Sequence, residues 1–227
     1  MNSWKIIILV ALSIVLILLV FRLVHCIKMA RYEVHGVDVS RYQAAVDWLA
    51  VENGCQFAFV KATEGTDLED PYFRNHWQNL RSRRLKRGAY HFFLPAADAR
   101  QQARHFIRSV SLQRGDLPPV LDVEITQHQP PVRIVQSVKR WLSLVEGHYG
   151  VRPIVYTNYA FYRDYLQRHL QGYPIWIAYY GFRTPQLEPA WHFWQYSDRG
   201  SMAGIGTNVD VNVFHGSREE LERICVP

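Results

Sequence analysis

Short apolar stretches alternate with segments of helical periodicity through most of the chain after residue 32. The apolar stretches predict strands at residues 36–39, 57–61, 89–93, 118–124, 154–157, 175–179, 193–196 and 209–214. Helices are predicted at residues 43–52, 72–86, 98–112, 132–148, 159–168 and 218–224. This alternation favours βα units around a parallel sheet, with an active site at the carboxyl ends of the strands.

The later links in this pattern are irregular. From Ile175 onward the segments between strands contain too few helical residues for complete βα units. A chain of 227 residues with 48% hydrophobic residues nevertheless has ample material for a large core. We therefore predict an α/β fold, an irregular (β/α) barrel of seven to eight strands.

The first part of the chain differs from the rest. Ile6–Phe21 carries no charge and lies between Lys5 and Arg22. A membrane-spanning helix needs about 17–25 apolar residues and a signal-peptide core about 7–15, so this length lies between the two. We expect residues 1–31 to form an apolar, membrane-spanning helix or signal segment with a short linker, and residues 32–227 to form a separate globular domain.

Three alternatives for this segment stay open. It is an uncleaved anchor, a cleaved signal peptide, or a lipoprotein signal at Cys26, although His25 occupies the place of a small residue. The cations after the run, Arg22, Lys28 and Arg31, oppose export, but large domains cross membranes despite such charge. We expect a membrane-anchored protein with its globular domain outside the cytoplasm, periplasmic or at the cell surface, and a secreted one if the segment is cleaved.

Charge and motif content exclude several classes. The formal net charge is +6, and no run of five like charges occurs, so a nucleic-acid partner is not expected. The histidines form no H-x-H or H-E-x-x-H pattern, and Walker, G-x-G-x-x-G and G-x-S-x-G motifs are lacking. A metal hydrolase, a nucleotide-binding protein and a serine hydrolase of the G-x-S-x-G type therefore lack a signature. Cys55 and Cys225 are expected as buried thiols, or as a disulfide if the protein is exported.

The most informative local pattern is Asp122-Val123-Glu124, which follows the apolar pair Val120-Leu121. Residues two apart on a strand point to the same face, so the two carboxyls project together. Adjacent like charges raise at least one pKa, and glycosidases use such a pair as acid and as base, nucleophile or stabiliser. A solvent-facing strand end would also accommodate two hydrated acids, so this pair does not decide the matter alone.

Other predicted strand ends add to this pair. Asp38 ends the first strand and Asp210 lies on the last. Aromatic residues occur at or near the remaining strand ends: Tyr90, His91, Phe93, Tyr156, Trp176, Tyr179, Trp194 and Tyr196. Acids surrounded by aromatic rings suit a sugar, whose C–H faces stack on rings while its hydroxyls form hydrogen bonds. Any one of these rings is more readily explained as core, and it is their recurrence near strand ends that favours a binding cleft.

Six motifs in order along the chain resemble those of glycoside hydrolase family 25, the N,O-diacetylmuramidase lysozymes. The resemblance covers residues 34–214. The motifs are Gly36-Val37-Asp38-Val39-Ser40-Arg41-Tyr42-Gln43 with Val46-Asp47-Trp48, Phe59-Val60-Lys61-Ala62-Thr63-Glu64-Gly65, Gly88-Ala89-Tyr90-His91-Phe92, Leu121-Asp122-Val123-Glu124, Tyr156-Thr157-Asn158, and Trp194-Gln195-Tyr196 with Val209-Asp210-Val211-Asn212.

The resemblance implies a β/α barrel that is irregular in its later units. It also implies hydrolysis of the β-1,4 bond between N-acetylmuramic acid and N-acetylglucosamine in peptidoglycan, without a cofactor. By position, Glu124 matches the proton donor and Asp122 its partner acid, while Asp38 and Asp210 match the other acids of the cleft. We expect Asp122 to stay ionised beside a protonated Glu124. The expected substrate-binding residues are Tyr90, Tyr156, Trp176, Glu64 and Gln195.

Two other functions stay open. A catalytically silent module that binds peptidoglycan or amino sugars would keep the cleft, but binding alone does not require a matched acid pair. A hydrolase of chitin-like polysaccharide would share the N-acetyl chemistry. Partners are therefore expected to be glycan strands of peptidoglycan and, through the N-terminal segment, a membrane.

Overall fold

The N-terminal segment forms one long helix, α1 (Ser3–Met29), in the computed structural model of the protein. The structure describes residues 3–181, 183–187 and 190–227, and within α1 the side chains at positions 4, 7–8, 10–17, 20 and 27–29. Residues 1 and 2 of the predicted segment lie outside the described residues. Over the described part of the chain, no helix is both long and apolar enough to cross a membrane, so the membrane-spanning part of the prediction is unsupported.

The described residues of the globular part form nine strands in one sheet. They are β1 (Val34–Val39), β2 (Phe57–Glu64), β3 (Leu68–Glu69), β4 (Lys86–Phe92), β5 (Val120–Asp122), β6 (Ile154–Asn158), β7 (Ile175–Ala178), β8 (Phe193–Gly200) and β9 (Val209–Phe214). Because β1 pairs with both β2 and β9, eight of these strands close into a barrel in the order β1-β2-β4-β5-β6-β7-β8-β9. The short strand β3 is added antiparallel to β2.

The barrel is regular for most of its circumference and irregular where it closes. Each neighbouring pair from β1 to β8 is parallel, whereas β9 runs antiparallel to both β8 and β1. A parallel return from β8 would need a long crossover, and the short 201–208 link permits only an antiparallel neighbour. This confirms the predicted irregular barrel of seven to eight strands.

Helices follow the strands at most of the predicted positions. After α1 they are α2 (Trp48–Val51), α3 (Phe73–Arg81), α4 (Ala99–Ser109), α5 (Pro131–Tyr149), α6 (Tyr159–Phe161) and α7 (Arg218–Ile224), with a π-helical turn at Tyr162–Leu166 continuing α6. The predicted helix at 43–52 is wrong as a single element. Ser40 caps a short 3₁₀ turn, Arg41–Gln43, and Asp47 separately caps α2, so two N-cap residues divide the segment.

Aromatic rings fill the barrel interior beneath its mouth. Phe59 stacks on Trp176 with ring centroids 4.4 Å apart and meets Phe193 edge to face at 5.3 Å. A Cβ atom at Gly88 would lie 2.4 Å from the Phe59 ring, so only glycine fits opposite it. The interior is therefore packed solid, as in other small barrels, and a ligand site is confined to the mouth.

The two cysteines of the globular part are free thiols. Cys55 is buried, and its Sγ lies 3.8 Å from Sδ of Met202. The Cys225 thiol donates a hydrogen bond to the Leu221 carbonyl oxygen at 3.3 Å. The sequence left buried thiols and a disulfide as alternatives. The structure has two free thiols, of which Cys55 is buried and Cys225 is partly buried.

Candidate active site

A cleft of about 200 Å³ opens at the carboxyl ends of the parallel strands. Four carboxyl groups line it, together with aromatic and amide side chains from four different strands. The lining residues are Asp38, Ser40, Tyr42, Lys61, Tyr90, Phe92, Asp122, Glu124, Tyr156, Trp176, Gln195 and Asp210. The structure thus brings together all four predicted acids and most of the predicted substrate-binding residues.

Strand direction explains how the acids meet. Asp38 lies near the end of β1, Asp122 ends β5, and Glu124 follows two residues beyond. Asp210 lies near the start of β9, and because β9 is antiparallel its start is at the same end of the barrel as the ends of its neighbours. The predicted strand 118–124 is shorter than expected, since Pro118 and Pro119 cannot donate to a sheet ladder and Glu124 lies in the following loop.

Asp38 is held by two amide side chains. Gln195 Nε2 donates to Asp38 Oδ2 at 2.9 Å, and Asn212 Nδ2 donates to the same oxygen at 2.8 Å. Each amide is fixed in turn by an aromatic donor: the Tyr156 hydroxyl donates to Gln195 Oε1 at 2.9 Å, and Trp176 Nε1 donates to Asn212 Oδ1 at 2.8 Å. These contacts define the orientation of both amides and fix one oxygen of Asp38 as an acceptor.

The environment raises the pKa of both members of the Asp122–Glu124 pair. Burial raises the pKa of Asp122 well above its ordinary value, and the charge of Glu124 raises it further. Burial also raises the pKa of Glu124, with a contribution from Asp210, while Lys61 lowers both pKa values. The expectation of a raised pKa for Glu124 is met, but Asp122 is not simply an ionised neighbour. Burial and the charge of Glu124 both favour its protonated form.

One oxygen of Asp122 has a notable position. Asp122 is 5% exposed, and its Oδ1 atom is buried without a hydrogen-bond partner among the described residues. A buried, unpaired carboxyl oxygen is costly unless a donor reaches it. The cost is lower when the carboxyl is protonated and uncharged, which agrees with the raised pKa of Asp122.

The predicted aromatic residues line the cleft while also packing into the barrel. Trp176 is only 2% exposed and is edge to face with Tyr156 at 4.4 Å between ring centroids. Tyr90 is half-buried at the rim, and burial together with the surrounding acids raises its pKa well above the ordinary value. Tyr90 thus presents more of its ring to the cleft than Trp176, which mainly forms the floor.

Glu64 differs from the other predicted residues because it is not among the described residues that line the cleft. It accepts a hydrogen bond from Lys61 Nζ at 2.7 Å, and Lys61 does line the cleft. The sequence reasoning did not identify Lys61 as a site residue, although a cation near the end of an otherwise apolar strand is an available signal. Lys61 Nζ also lies 4.9 Å from the centre of the Phe92 ring.

A closed β/α barrel with a carboxyl pair in an aromatic cleft at its mouth defines a class: a glycoside hydrolase of the barrel type. Comparisons with known proteins give the particular family. The family model for glycosyl hydrolases family 25 matches residues 37–205, and the chain belongs to this family.

Relatives and solved structures agree with this membership. The chain is 46% identical over 200 residues to the uncharacterised protein YegX of Escherichia coli O157:H7, covering 85% of this chain and 74% of YegX. It is 32% identical over 208 residues to lysozyme M1 of Streptomyces globisporus, covering 83% and 70%. The structure of a family 25 glycosyl hydrolase from Bacillus anthracis matches with a TM-score of 0.80 at 36% identity, covering 85% of this chain and 94% of that one.

Proposed function

We propose that this protein is a lysozyme that hydrolyses the β-1,4 bond between N-acetylmuramic acid and N-acetylglucosamine in peptidoglycan. The observation that carries the proposal is the cleft itself, in which four carboxyl groups meet at the barrel mouth of a family 25 chain. Relatives named as lysozymes and muramidases support the choice of substrate.

Glu124 is the proposed general acid. A sugar oxygen is a poor leaving group until it is protonated, so the donor must still hold its proton near neutral pH. Burial and the charge of Asp210 raise the pKa of Glu124 and so favour the protonated form. Glu124 is less buried than Asp122 and lies in the loop after β5, which suits delivery of a proton to a substrate in the open cleft.

Asp122 is the proposed partner of the substrate's acetamido group, or the base. Its raised pKa makes the ionised form a stronger proton acceptor, and the residue lines the cleft together with Glu124. The positive charge of Lys61 stabilises the single negative charge that the pair carries when Glu124 holds its proton. Asp210 adds negative potential where positive charge develops on the sugar, and Asp38 is held beside it by Gln195 and Asn212.

The experiment is digestion of purified peptidoglycan, with mass spectrometry of the new reducing ends. Reducing N-acetylmuramic acid is expected. Reducing N-acetylglucosamine, or hydrolysis of chitin in place of peptidoglycan, would contradict the assignment. Binding to peptidoglycan without release of reducing ends would indicate a silent binding module.

We further propose that residues 1–31 attach the protein to a membrane, with the catalytic domain at 32–227 outside the cytoplasm. The support is the apolar run, whose described side chains are largely exposed, among them Ile7, Leu12 and Leu16. An apolar helix exposed to water is unfavourable and calls for an apolar surrounding. Cell fractionation with protease treatment of intact spheroplasts tests this. A full-length protein that is soluble, or protected from protease on the cytoplasmic side, would contradict it.

A further inference from the structure

A second depression, separate from the catalytic cleft, lies between the start of α4 and the first half of α5. It encloses about 510 Å³ and is lined on one side by residues 96–100 and on the other by Arg133, Gln136, Ser137 and Arg140. Because α4 and α5 begin where β4 and β5 have ended, the depression starts at the mouth end of the barrel. We call it the α4–α5 groove.

Positive charge dominates this groove. Arg100, Arg133 and Arg140 line it and form no ion pair with any residue that the structure describes. The lining carboxylate, Asp98, caps α4 by accepting a hydrogen bond from the Gln101 N–H at 2.8 Å. Three guanidinium groups therefore face one carboxylate already engaged with backbone, a balance that suits an anionic ligand.

The groove is adjacent to the catalytic cleft. Ala96, which lines the groove, is four residues from Phe92, which lines the cleft. The Cα atoms of these two residues are therefore at most about 14 Å apart. The loop after β5 also joins them: the Ala96 N–H donates to Gln127 Oε1 at 2.9 Å, and Gln127 is three residues beyond Glu124. Gln127 has a φ of 46°, a left-handed conformation that this contact helps to hold.

We propose that the α4–α5 groove binds the carboxylate-bearing peptide arms of the same peptidoglycan strand whose sugars occupy the cleft. The proposal rests on the proposed muramidase function. Peptide arms extend from the lactyl groups of muramic acid and carry free carboxylates, and an extended arm of three to five residues spans about 10–17 Å. That length reaches from the cleft to the groove.

Charge chemistry favours this ligand over a bare glycan. Chains of N-acetylglucosamine are neutral, and a strand stripped of its peptides carries only the lactyl carboxylate of each muramic acid, which stays beside the sugar and does not extend to the groove. Carboxylates match the planar fork of arginine and accept two parallel hydrogen bonds from it. The groove thus provides a preference for peptide-bearing peptidoglycan over stripped glycan or chitin-like chains.

The test compares two forms of one substrate. Soluble, uncross-linked peptidoglycan chains are used with their peptide arms intact, or after an amidase has removed the arms. Reducing ends are measured for the full-length wild type and for a triple variant, Arg100→Gln, Arg133→Gln and Arg140→Gln. A matched triple variant, Arg81→Gln, Arg84→Gln and Arg114→Gln, removes the same charge from exposed positions at the opposite end of the barrel.

The groove variant is expected to lose about tenfold in kcat/KM on peptide-bearing chains, mainly through KM, because each exposed ion pair contributes modestly. On stripped chains it should stay within about twofold of the wild type, and the matched variant should follow the wild type on both substrates. The wild type's preference for peptide-bearing chains should also weaken at high salt, since exposed charges are screened.

Two results overturn the proposal and are distinguishable. In the first, the wild type cleaves both substrates, and the groove variant either behaves like the matched variant or loses activity equally on both substrates. That result would show that the groove binds no peptide arm. A wild type that releases reducing ends from neither substrate would instead overturn the muramidase function on which the proposal rests. Melting temperatures of the three proteins confirm that folding is unchanged.

Discussion

Asp38 and Asp210 face each other across the antiparallel β1–β9 pair that closes the barrel. Burial raises the pKa of both, and the negative charge of Asp210 raises the pKa of Asp38 further. Asp38, whose pKa is raised well above the ordinary value, is therefore the acid of the pair that more strongly favours its protonated form. Its Oδ2 atom accepts hydrogen bonds from Gln195 and Asn212.

Asp38→Asn should stabilise the protein relative to the wild type, and by more at pH 7 than at pH 4. Because the pKa of Asp38 is raised in the folded state, the folded protein keeps a proton that the unfolded chain releases above about pH 4. The wild type therefore loses stability as pH rises from about 4 to the pKa of Asp38 in the folded state. An asparagine mimics the protonated acid, because it is uncharged and its side-chain oxygen can still accept from the two amides. Urea unfolding at both pH values measures the effect.

The stability difference between Asp38→Asn and wild type is expected to grow with pH, by at most about 1.4 kcal/mol per pH unit. Asp67→Asn, at an exposed position, serves as the control for loss of a carboxylate. A difference that does not depend on pH would contradict the assignment of the proton to Asp38.

Glu124→Gln should remove catalysis and leave the fold intact. Glutamine keeps the shape of the side chain but has no acidic proton, and general acid catalysis contributes about 10²- to 10⁴-fold. The rate of release of reducing ends should fall by at least that factor. Glu222→Gln, an exposed exchange on α7, should be unaffected. Near-full activity in a folded Glu124→Gln protein would transfer the donor role to Asp122 or Asp210.

Trp176→Ala should cost stability as well as activity. The ring stacks on Phe59 and is almost fully buried, and truncation of a buried tryptophan costs about 3–5 kcal/mol. Trp176→Phe keeps a ring in the interior but removes the hydrogen bond to Asn212, which holds Asp38. We expect the phenylalanine variant to fold and to lose activity through that contact. Wild-type kinetics in a folded Trp176→Phe protein would show that this contact does not matter to the site.

His91 should make the protein sensitive to acid. Burial lowers the pKa of His91 to about 3, and its ring is hydrogen-bonded to Thr63 and Gln102. Since the unfolded state takes up a proton near pH 6.5 and the folded state does not, stability falls as pH falls from about 6.5 to 3, by at most about 1.4 kcal/mol per pH unit.

His91→Gln is expected to lose this contribution to the pH dependence while retaining a polar side chain for its two neighbours. Unfolding free energies measured between pH 4 and pH 7 should therefore show a shallower slope for the variant. His148→Gln, on the surface at the end of α5, is the control. Equal slopes for wild type and His91→Gln would contradict the buried neutral state.

The order of elements was readable from the chain because each strand and helix has its own periodicity. Residues 209–214 and 218–224 form the predicted strand and helix with the same bounds, and Asp122 and Glu124 share a cleft as the i, i+2 spacing indicates. Helix interruptions and the two-residue strand β3 were missed, because caps and short pairings depend on single side chains and on distant partners.

The sequence by itself determined the fold class, the family resemblance and the acids that belong to the site, since residue type and order along the chain carry that information. Only the tertiary structure decided that Asp210 meets Asp38, that Lys61 enters the cleft while Glu64 pairs beside it, and that Asp122 is buried enough to raise its pKa. These outcomes depend on strand direction, closure of the barrel and loss of water around each carboxyl, which arise only when distant parts of the chain come into contact.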